Sequence, residues 1–314
     1  MGEFDLIARI RDRAATRADV ILGIGDDAAL LQPPAGMQLV VAMDTLNAGV
    51  HFPTETAPAD IGWKALAVNL SDLAAMGALP AWCTLSLSLP DANTTFVDGF
   101  LDGFLALAQQ HDVALVGGDT TRGPLSVCVT VHGFVESGTA LRRDGAQIGD
   151  DVWASGTLGD AAAALAQWKS GGDVDAALRA RLNRPTPRVA LGHALRGIAT
   201  ACIDVSDGLL ADLGHVCNAS GVGVQVDVDA LPASEALRIA FDGEARRVPQ
   251  ATGGDDYELC LIAPSNMRAT VQQVAASVDA RVTRIGRVVD RQGVQAHTAD
   301  GVAWSAPMGW RHFD

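Results

Sequence analysis

Two segments in the first half of the chain alternate apolar and polar residues with a period of two, which is the pattern of half-buried β-strands. They cover residues 81–89 and 125–131. In the second half, apolar segments of strand length lie at 201–205, 222–228, 257–262 and 281–289. Helical patterns separate several of these segments. This arrangement predicts an α+β fold, with a mixed sheet in the N-terminal half and α/β alternation in the C-terminal half.

A polar, glycine-rich segment at 137–149 separates the two halves, and we interpret it as a domain boundary. The chain has 314 residues, which suits two domains of about 150 residues each. We therefore expect one domain over residues 1–138 and a second over residues 149–314. Hydrophobic residues make up 48% of the chain and charged residues 19%, a composition that excludes intrinsic disorder.

The charge balance restricts what the protein binds. The chain has 23 lysine and arginine residues against 37 acidic ones, a net charge of −14. We therefore expect neither nucleic acid nor a membrane as a partner. Its two lysines, Lys64 and Lys169, do not follow glycine, so the chain contains no phosphate-binding loop of the Walker type. A protein of this composition that handles phosphates would need bound cations.

Cysteine usage and the N-terminus indicate a cytoplasmic protein. Five scattered cysteines contain no C-x-x-C pair, so we expect reduced thiols and not a disulfide framework. The N-terminal residues are charged and have no apolar signal core. The uncharged segment at 73–89 is interrupted by Pro80, and its second half alternates, so we do not interpret it as a membrane span.

Aspartates stand at the predicted ends of elements and in turns, mostly beside glycine or a hydroxyl residue. They are Asp26, Asp27, Asp44, Asp72, Asp119, Asp204 and Asp207. Mg²⁺ prefers oxygen ligands, typically one or two carboxylates together with water and substrate phosphates. If the fold brings these aspartates together, several Mg²⁺ ions would neutralise a polyphosphate in place of lysines.

Each of these positions also has an ordinary structural interpretation. Asp72 lies on the apolar stripe of a helix predicted from residue 59, where it would either bind a cation or cap a neighbouring loop. Asp27 and Asp44, taken singly, are typical turn residues. Ser206 precedes a predicted helix, whose free N–H groups would bind a phosphate or be capped by the chain itself.

Three further residues are candidates with similar alternatives. Arg143 would clamp a phosphate or lie solvated on the surface. His51 would be a ligand or an ordinary loop histidine, and Trp310 would stack on a heteroaromatic ring or hold the C-terminal segment in place.

The motifs occur in an order that is more specific than any one of them. They are GEF at 2–4, GIGDDAAL at 23–30, KALAVNLSDLAAMG at 64–77, GGDTTRG at 117–123, DVSDGL at 204–209 and GGDDYEL at 253–259. Together they resemble the thiamine-monophosphate kinase family, within the aminoimidazole-ribonucleotide-synthetase-like superfamily. The resemblance covers nearly the whole chain.

The resemblance implies transfer of the γ-phosphoryl group of ATP to the phosphate of thiamine monophosphate, directly and without a phosphoenzyme. It implies a two-domain fold in which the N-terminal domain binds ATP and Mg²⁺ and pairs its mixed sheet in a homodimer. The C-terminal α/β domain would complete the active site. The acceptor phosphate is already ionised, so the reaction needs no strong general base.

Site residues follow from the resemblance by position. Those implied as Mg²⁺ ligands are Asp27, Met43, Asp44, Asp72, Asp119, Asp204 and Asp207, with Met43 acting through its backbone carbonyl. Those implied in ATP binding are Gly118, Asp119, Arg143 and Ser206. Those implied in binding the thiamine phosphate are His51, Asp255 and Trp310.

The chain departs from the family pattern at two points. Family members often carry Ser-Thr where this chain has Ala42 and Met43, so a hydroxyl ligand for one ion is missing. The motifs also identify no aromatic residue for contact with adenine, and we assign neither Phe104 nor His111 to that role.

Two other functions are compatible with parts of this sequence. The first is the function of another ATP-dependent member of the superfamily. Of these members, selenophosphate synthetase would require a reactive cysteine or selenocysteine near the N-terminus, which residues 1–20 lack. A non-catalytic divalent-cation-binding protein is the other. The chain has no EF-hand loop, and the aspartates are dispersed along it, which disfavours that function.

Overall fold

The structure is a computed structural model that describes residues 3–305, with side chains from Asp5 onward. Its contacts divide the chain into two compact units. Unit 1 comprises Met1–Leu73 and Ala78–Gly138, and unit 2 comprises Ala74–Gly77 and Thr139–Asp314. Trp310, an expected substrate contact, lies outside the described residues.

Unit 1 contains a mixed four-stranded sheet. The elements in chain order are α1 (Glu3–Arg13), β1 (Val20–Leu22), β2 (Leu30–Leu31), β3 (Met37–Asn47), α2 (Pro58–Ala75), β4 (Leu79–Leu89), α3 (Thr94–Gln110), β5 (Ala114–Arg122) and β6 (Ser126–Glu136). The sheet order is β3-β6-β4-β5, with β4 and β5 parallel and the other pairs antiparallel. The strands predicted from period-2 alternation are confirmed as β4 and β6, and the mixed sheet is confirmed with them.

The core of unit 1 includes the buried side chains of α2 and α3, among them Leu66, Leu70, Phe100 and Phe104. These two helices pack very closely. A Cβ atom on Gly103 would lie 1.7 Å from the carbonyl oxygen of Ala59 in α2, so this position requires glycine. The close packing fixes α2, which carries Asp72.

Unit 2 is built on a seven-stranded sheet. Its elements are β7 (Asp151–Ser155), α4 (Asp160–Lys169), α5 (Ala176–Asn183), α6 (Val189–Ala194), β8 (Ala201–Asp204), α7 (Leu209–Ser220), β9 (Gly223–Asp227), α8 (Glu235–Ala240), α9 (Gly243–Thr252), β10 (Leu259–Ala263), α10 (Arg268–Ser277), β11 (Val282–Val289), β12 (Gly293–His297) and β13 (Ala303–Trp304). The strand order is β13-β12-β9-β11-β7-β10-β8.

Neighbouring strands of this sheet are antiparallel except β12 and β9, which are parallel. The core contains the apolar side chains of β7, β9 and β10 together with those of α7, including Val152, Val224, Ile262 and Leu213. The combination of this sheet with helices confirms the α+β class. In the described part of the chain, no helix combines the length and apolar character that crossing a membrane requires.

Candidate functional site

A cavity of about 790 Å³ in unit 1 brings two of the expected metal ligands together. Its walls are formed by α1, by the loop at 23–29, by Thr84 and Leu85 in the middle of β4, and by residues 115–120 of β5. Asp27 reaches the cavity from the loop at 23–29, and Asp119 from β5. Gly118, beside Asp119, has a φ of 151°, and a Cβ atom there would lie 1.8 Å from the carbonyl oxygen of Leu85. Glycine at 118 therefore lets β5 approach β4 closely just before the carboxylate.

A second cavity, of about 540 Å³, shares Asp119 and Thr120 with the first. Its other lining residues include Leu6 of α1, Leu89 of β4 and Arg122 of β5. Asp119 thus faces the point where the two cavities meet. Its carboxylate is exposed, as a residue that binds a solvated ion requires.

Asp44 lies on β3, away from Asp119. Across the sheet, Asp44 is in register with Val129, Leu85 and Gly118. Three strand spacings of about 4.8 Å therefore separate β3 from β5, a distance of about 14 Å. Within one chain, the sheet does not bring Asp44 next to Asp119. This separation depends on the strand order and could not be predicted from the residues alone.

The backbone at Asp44 is held by α2. Its N–H donates to Oδ1 of Asn69 over 2.9 Å, and the Asn69 amide in turn donates to the carbonyl oxygen of Ala65. Asn69 is fully buried, and Asp72, one turn further along α2, is half-buried. Asn69 is a supporting residue that the sequence reasoning missed, although its place three residues before Asp72 within the KALAVNLSD segment was a signal.

The loop that carries His51 is fixed by one of the two lysines. Nζ of Lys64, which is 2% exposed, donates to the carbonyl oxygen of His51 over 3.0 Å. Nδ1 of the His51 ring accepts the N–H of Asn47 over 2.9 Å. Because Nδ1 accepts, the neutral ring carries its proton on Nε2. Lys64 therefore acts on the loop backbone, a role that its sequence position did not predict.

In unit 2, the loop from Asp204 to Gly208 is held by a carboxylate that the sequence reasoning did not select. Oδ2 of Asp212 accepts the backbone N–H groups of Ser206, Asp207 and Gly208, at 3.1, 3.2 and 3.1 Å. α7 begins at Leu209 with Gly208 as its N-cap, so these three N–H groups belong to the loop before the helix and its N-cap. They are held by the chain itself and are not free to bind a phosphate.

Burial raises the pKa of Asp212 to about 7, and the nearby carboxylates of Asp204 and Asp207 add to the effect. Asp204 is itself 4% exposed at the end of β8. Three acidic side chains are thus concentrated around this loop. Their mutual repulsion favours a cation close to them.

The loop that carries Asp255 has a strained backbone. Asp255 and Tyr257 have φ values of 70° and 49°, in the left-handed region that few residues other than glycine adopt. The N–H of Asp255 donates to the carbonyl oxygen of Ser206, and the N–H of Tyr257 to that of Val205, at 2.9 and 2.8 Å. These bonds place Asp255 directly beside the Asp204–Gly208 loop.

A buried ion cluster follows this loop. Glu258 is fully buried and accepts from Arg188 Nε and Nη2 at 2.6 and 2.5 Å, and from Arg181 Nη2 at 2.8 Å. The Ser155 hydroxyl donates to the same carboxylate over 2.5 Å. The cluster fixes the end of the strained loop. The GGDDYEL segment contains Glu258, but sequence alone did not identify its arginine partners.

The remaining expected site residues are less constrained. Arg143 is exposed, and its backbone carbonyl oxygen accepts the hydroxyl of Ser220 over 2.8 Å. Met43 is 63% exposed on β3. Among the residues that the structure describes, no group of three or more histidine, cysteine or acidic side chains is arranged to hold a metal ion. The carboxylates are therefore not a preformed metal cage within that part of the chain.

Comparison with known proteins identifies the family. The model for the N-terminal domain of AIR synthase related proteins matches residues 25–135, and the model for the C-terminal domain matches residues 147–298. Thiamine-monophosphate kinase from Salmonella typhimurium is 47% identical over 321 residues, covering 100% of this chain and 98% of that protein.

Two solved structures are also similar over nearly their whole length. The crystal structure of thiamine-monophosphate kinase from Stenotrophomonas maltophilia K279a has a TM-score of 0.89 and 58% identity, covering 97% of this chain and 98% of that one. AaThiL complexed with AMPPCP and TMP has a TM-score of 0.79 and 31% identity, covering 99% of this chain and 97% of that one. The chain therefore belongs to the thiamine-monophosphate kinase family of AIR synthase related proteins.

Proposed function

We propose that the protein transfers the γ-phosphoryl group of ATP to the phosphate of thiamine monophosphate, forming thiamine diphosphate and ADP. The observation that carries this proposal is the similarity, across 99% of the chain, to AaThiL, which was solved with AMPPCP and TMP. AMPPCP is an analogue of ATP, so the relative binds a nucleotide of the proposed class. The relatives that match the whole chain also bear the name of this activity.

In the proposed reaction, an oxygen of the acceptor phosphate forms a bond to the γ-phosphorus while the bond from that phosphorus to the β-phosphate oxygen breaks. ADP leaves with the electron pair of the broken bond. The acceptor is ionised at neutral pH, so the protein supplies positioning and charge neutralisation. This direct transfer needs no covalent intermediate on the protein.

Mg²⁺ would be held by carboxylates and one backbone carbonyl. The proposed ligands are Asp27, Met43, Asp44, Asp72, Asp119, Asp204 and Asp207. The donor set is all oxygen, which suits Mg²⁺, and Asp27 and Asp119 line the same cavity. Bound Mg²⁺ would neutralise the phosphates of ATP. The described residues contain no preassembled group of three such ligands, so water and substrate oxygens would complete each coordination shell.

The nucleotide and the acceptor would contact different parts of the chain. ATP would contact Gly118, Asp119, Arg143 and Ser206. Ser206 would use its hydroxyl, because its N–H already donates to Asp212. The thiamine phosphate would contact His51, Asp255 and Trp310. The hydrogen bond between the Asp255 N–H and the Ser206 carbonyl supports this proposal, because it places a residue for each substrate on adjacent loops.

We also propose that the protein forms a homodimer through the sheet of unit 1. β3 is an edge strand of that sheet, and its apolar side chains Leu39, Val41 and Met43 are 49%, 53% and 63% exposed. An exposed edge strand with apolar side chains favours pairing with another chain. Sedimentation velocity tests this directly, and a monomer at micromolar concentration would contradict it.

The experiment that tests the proposed activity measures ADP release with and without thiamine monophosphate, together with thiamine diphosphate as product. Formylglycinamidine ribonucleotide serves as the alternative acceptor, since another member of the superfamily would use it. The Asp72→Asn variant removes a proposed metal ligand with little change in volume, and we expect loss of activity in a folded protein. Tight Mg²⁺ binding without ATP turnover would favour the non-catalytic alternative instead.

A further inference from the structure

The segment 253–258, between α9 and β10, has an unusual backbone. Among the described residues, four other than glycine have a positive φ, which are Asp112, Asp255, Tyr257 and Asp279. Asp112 and Asp279 each follow the C-cap of a helix, α3 and α10, where a left-handed residue often ends the helix. The other two have no such position, because α9 ends three residues before Asp255. The segment therefore holds two left-handed residues that helix capping does not explain.

This backbone is held on both sides of Tyr257, whose φ of 49° aromatic residues rarely adopt. Asp256 is 1% exposed, and its Oδ2 accepts the N–H of Gly159 over 2.7 Å. The carbonyl oxygen of Asp256 accepts Nη2 of Arg181 over 3.2 Å. On the other side, Glu258 belongs to the buried ion cluster. Strain of this kind persists only where the surroundings fix it, and it is concentrated at functional sites.

The same conformation brings the Tyr257 side chain to the Asp255 carboxylate. The Tyr257 hydroxyl donates to Oδ1 of Asp255 over 3.1 Å. Tyr257 is 8% exposed, so its ring is packed in the interior of unit 2, whereas Asp255 is only half-buried. Close packing restricts the ring to one side-chain conformation. The hydroxyl is therefore a fixed donor, and it holds a partly exposed carboxylate in one orientation.

We propose that Tyr257 is a positioning residue, which orients the Asp255 carboxylate for binding thiamine monophosphate. This inference rests on the proposed function, which assigns Asp255 to that substrate. Tyr257 acts through Asp255 and not by touching the substrate. A carboxylate that is already oriented loses less conformational freedom when the substrate binds, so the hydroxyl strengthens binding of thiamine monophosphate. The strained backbone is the arrangement that puts the hydroxyl and the carboxylate together.

The test removes the hydroxyl and keeps the ring. Tyr257→Phe leaves the buried ring in place, and we measure kcat/KM for thiamine monophosphate at saturating Mg²⁺-ATP together with KM for ATP. The value of kcat/KM should fall by about three- to ten-fold, the effect of one hydrogen bond, while KM for ATP changes by less than about two-fold. An unchanged kcat/KM would overturn the proposal. A rise in KM for ATP as large as the fall in kcat/KM would show a general structural effect and overturn it as well.

A double-mutant cycle tests whether Tyr257 acts through Asp255. Asp255→Gly removes the carboxylate, and glycine adopts the φ of 70° without strain. In this background, Tyr257→Phe should change kcat/KM for thiamine monophosphate by less than about two-fold, because the group that the hydroxyl orients is gone. A full three- to ten-fold loss in the Asp255→Gly background would mean that Tyr257 acts independently of the carboxylate, and would overturn the proposal.

A matched control removes a different hydroxyl from unit 2. The Ser277 hydroxyl donates to the carbonyl oxygen of Val274 on α10 over 2.7 Å, and Ser277 is exposed. Ser277→Ala should have the kinetic constants of the wild type. A loss of kcat/KM in Ser277→Ala equal to that in Tyr257→Phe would show that the effect is not specific to the Asp255 hydrogen bond and would overturn the proposal.

Failure of this inference is distinguishable from failure of the proposed function. If the wild type phosphorylates thiamine monophosphate and Tyr257→Phe does so equally well, the positioning role is wrong and the activity stands. If the wild type does not phosphorylate thiamine monophosphate, isothermal titration calorimetry measures its binding in the presence of Mg²⁺-AMPPCP. Weaker binding in Tyr257→Phe, and no further weakening in the Asp255→Gly background, would then support the positioning role without the activity. A wild type that neither phosphorylates nor binds thiamine monophosphate overturns both.

Discussion

The buried ion cluster around Glu258 in unit 2 can be tested by two substitutions, one at Glu258 and one at Gly156, which lies against its carboxylate. A Cβ atom on Gly156 would lie 2.0 Å from Oε1 of Glu258, and Gly156 has a φ of 52°. Gly156→Ala therefore forces the carboxylate away from Arg181 and Arg188. Glu258→Ala removes the carboxylate altogether. The two substitutions act on the same interaction, and their effects should not add.

The magnitudes follow from the contacts. Removing one partner of a buried ion pair costs about 3–5 kcal/mol, and the Glu258 side chain is fully buried between arginines that are 21% and 23% exposed. Gly156→Ala should cost about 1 kcal/mol for left-handed alanine and about 3 kcal/mol for displacing Glu258. In the Glu258→Ala background only the first cost remains. We therefore expect a coupling of about 3 kcal/mol.

Urea unfolding of the wild type, both single variants and the double variant gives this coupling as a double-mutant cycle. Glu258→Gln keeps the side-chain volume, so Gly156→Ala still has to displace the side chain in that background, and the coupling should be smaller than with Glu258→Ala. Single effects that sum to the effect of the double variant within about 0.5 kcal/mol would refute the reasoning. Such a result would mean that the carboxylate is not held where the structure places it.

Substitutions at three further positions test other parts of the molecule. Asp151 is held below its ordinary pKa by hydrogen bonds from Arg268, so Asp151→Asn should lose about 1–3 kcal/mol of unfolding free energy at neutral pH. Because the pKa of Asp151 is lowered in the folded state, the difference in unfolding free energy between wild type and Asp151→Asn should shrink as the pH falls below 3.8. A difference that grows on acidification would contradict the ion pair between Asp151 and Arg268. Asp212→Ala leaves the N–H groups of Ser206, Asp207 and Gly208 without their acceptor and should lower the unfolding free energy by about 3 kcal/mol, whereas Asp212→Asn keeps an acceptor and should lose less than half of that. Equal losses of unfolding free energy in the two Asp212 variants, measured by urea unfolding, would argue against these hydrogen bonds. Trp310→Ala should raise KM for thiamine monophosphate more than KM for ATP, and equal changes would count against a ring contact.

Regular amphipathic patterns predicted much of unit 1. Burial alternates along residues 84–89 of β4 and 126–132 of β6, because one face of each segment is buried and the other is partly exposed. In these segments the residue type therefore indicates which face of the sheet a side chain is on. In unit 2, the short helices α5, α8, α9 and α10 were not predicted. Each buries two residues or fewer. The sequence of α5 carries little amphipathic signal, whereas α9 is amphipathic and was missed, and it contains Pro249.

Asp27 and Asp119 were selected because they stand in a predicted turn and at a predicted strand end, and the fold places them on one cavity. The predicted strand ends were wrong for Asp44 and Asp119, because β3 continues to Asn47 and β5 to Arg122. The separation of Asp44 from Asp119 could not be predicted, because β6 and β4 lie between their strands only in the folded sheet. Supporting residues such as Asn69 and Lys64 were missed, because their partners are distant in sequence or are backbone atoms.

The loop before α7 shows how the proposed chemistry must differ from a common mode of phosphate binding. Backbone N–H groups that precede a helix often bind anions, but here those of Ser206, Asp207 and Gly208 donate to Asp212. The same loop carries the carboxylates of Asp204 and Asp207. A triphosphate would be repelled from this loop unless cations lie between them. In the proposed function, the loop therefore acts on the phosphates through Mg²⁺ and the Ser206 hydroxyl, which explains how a chain with two lysines and a net charge of −14 binds ATP.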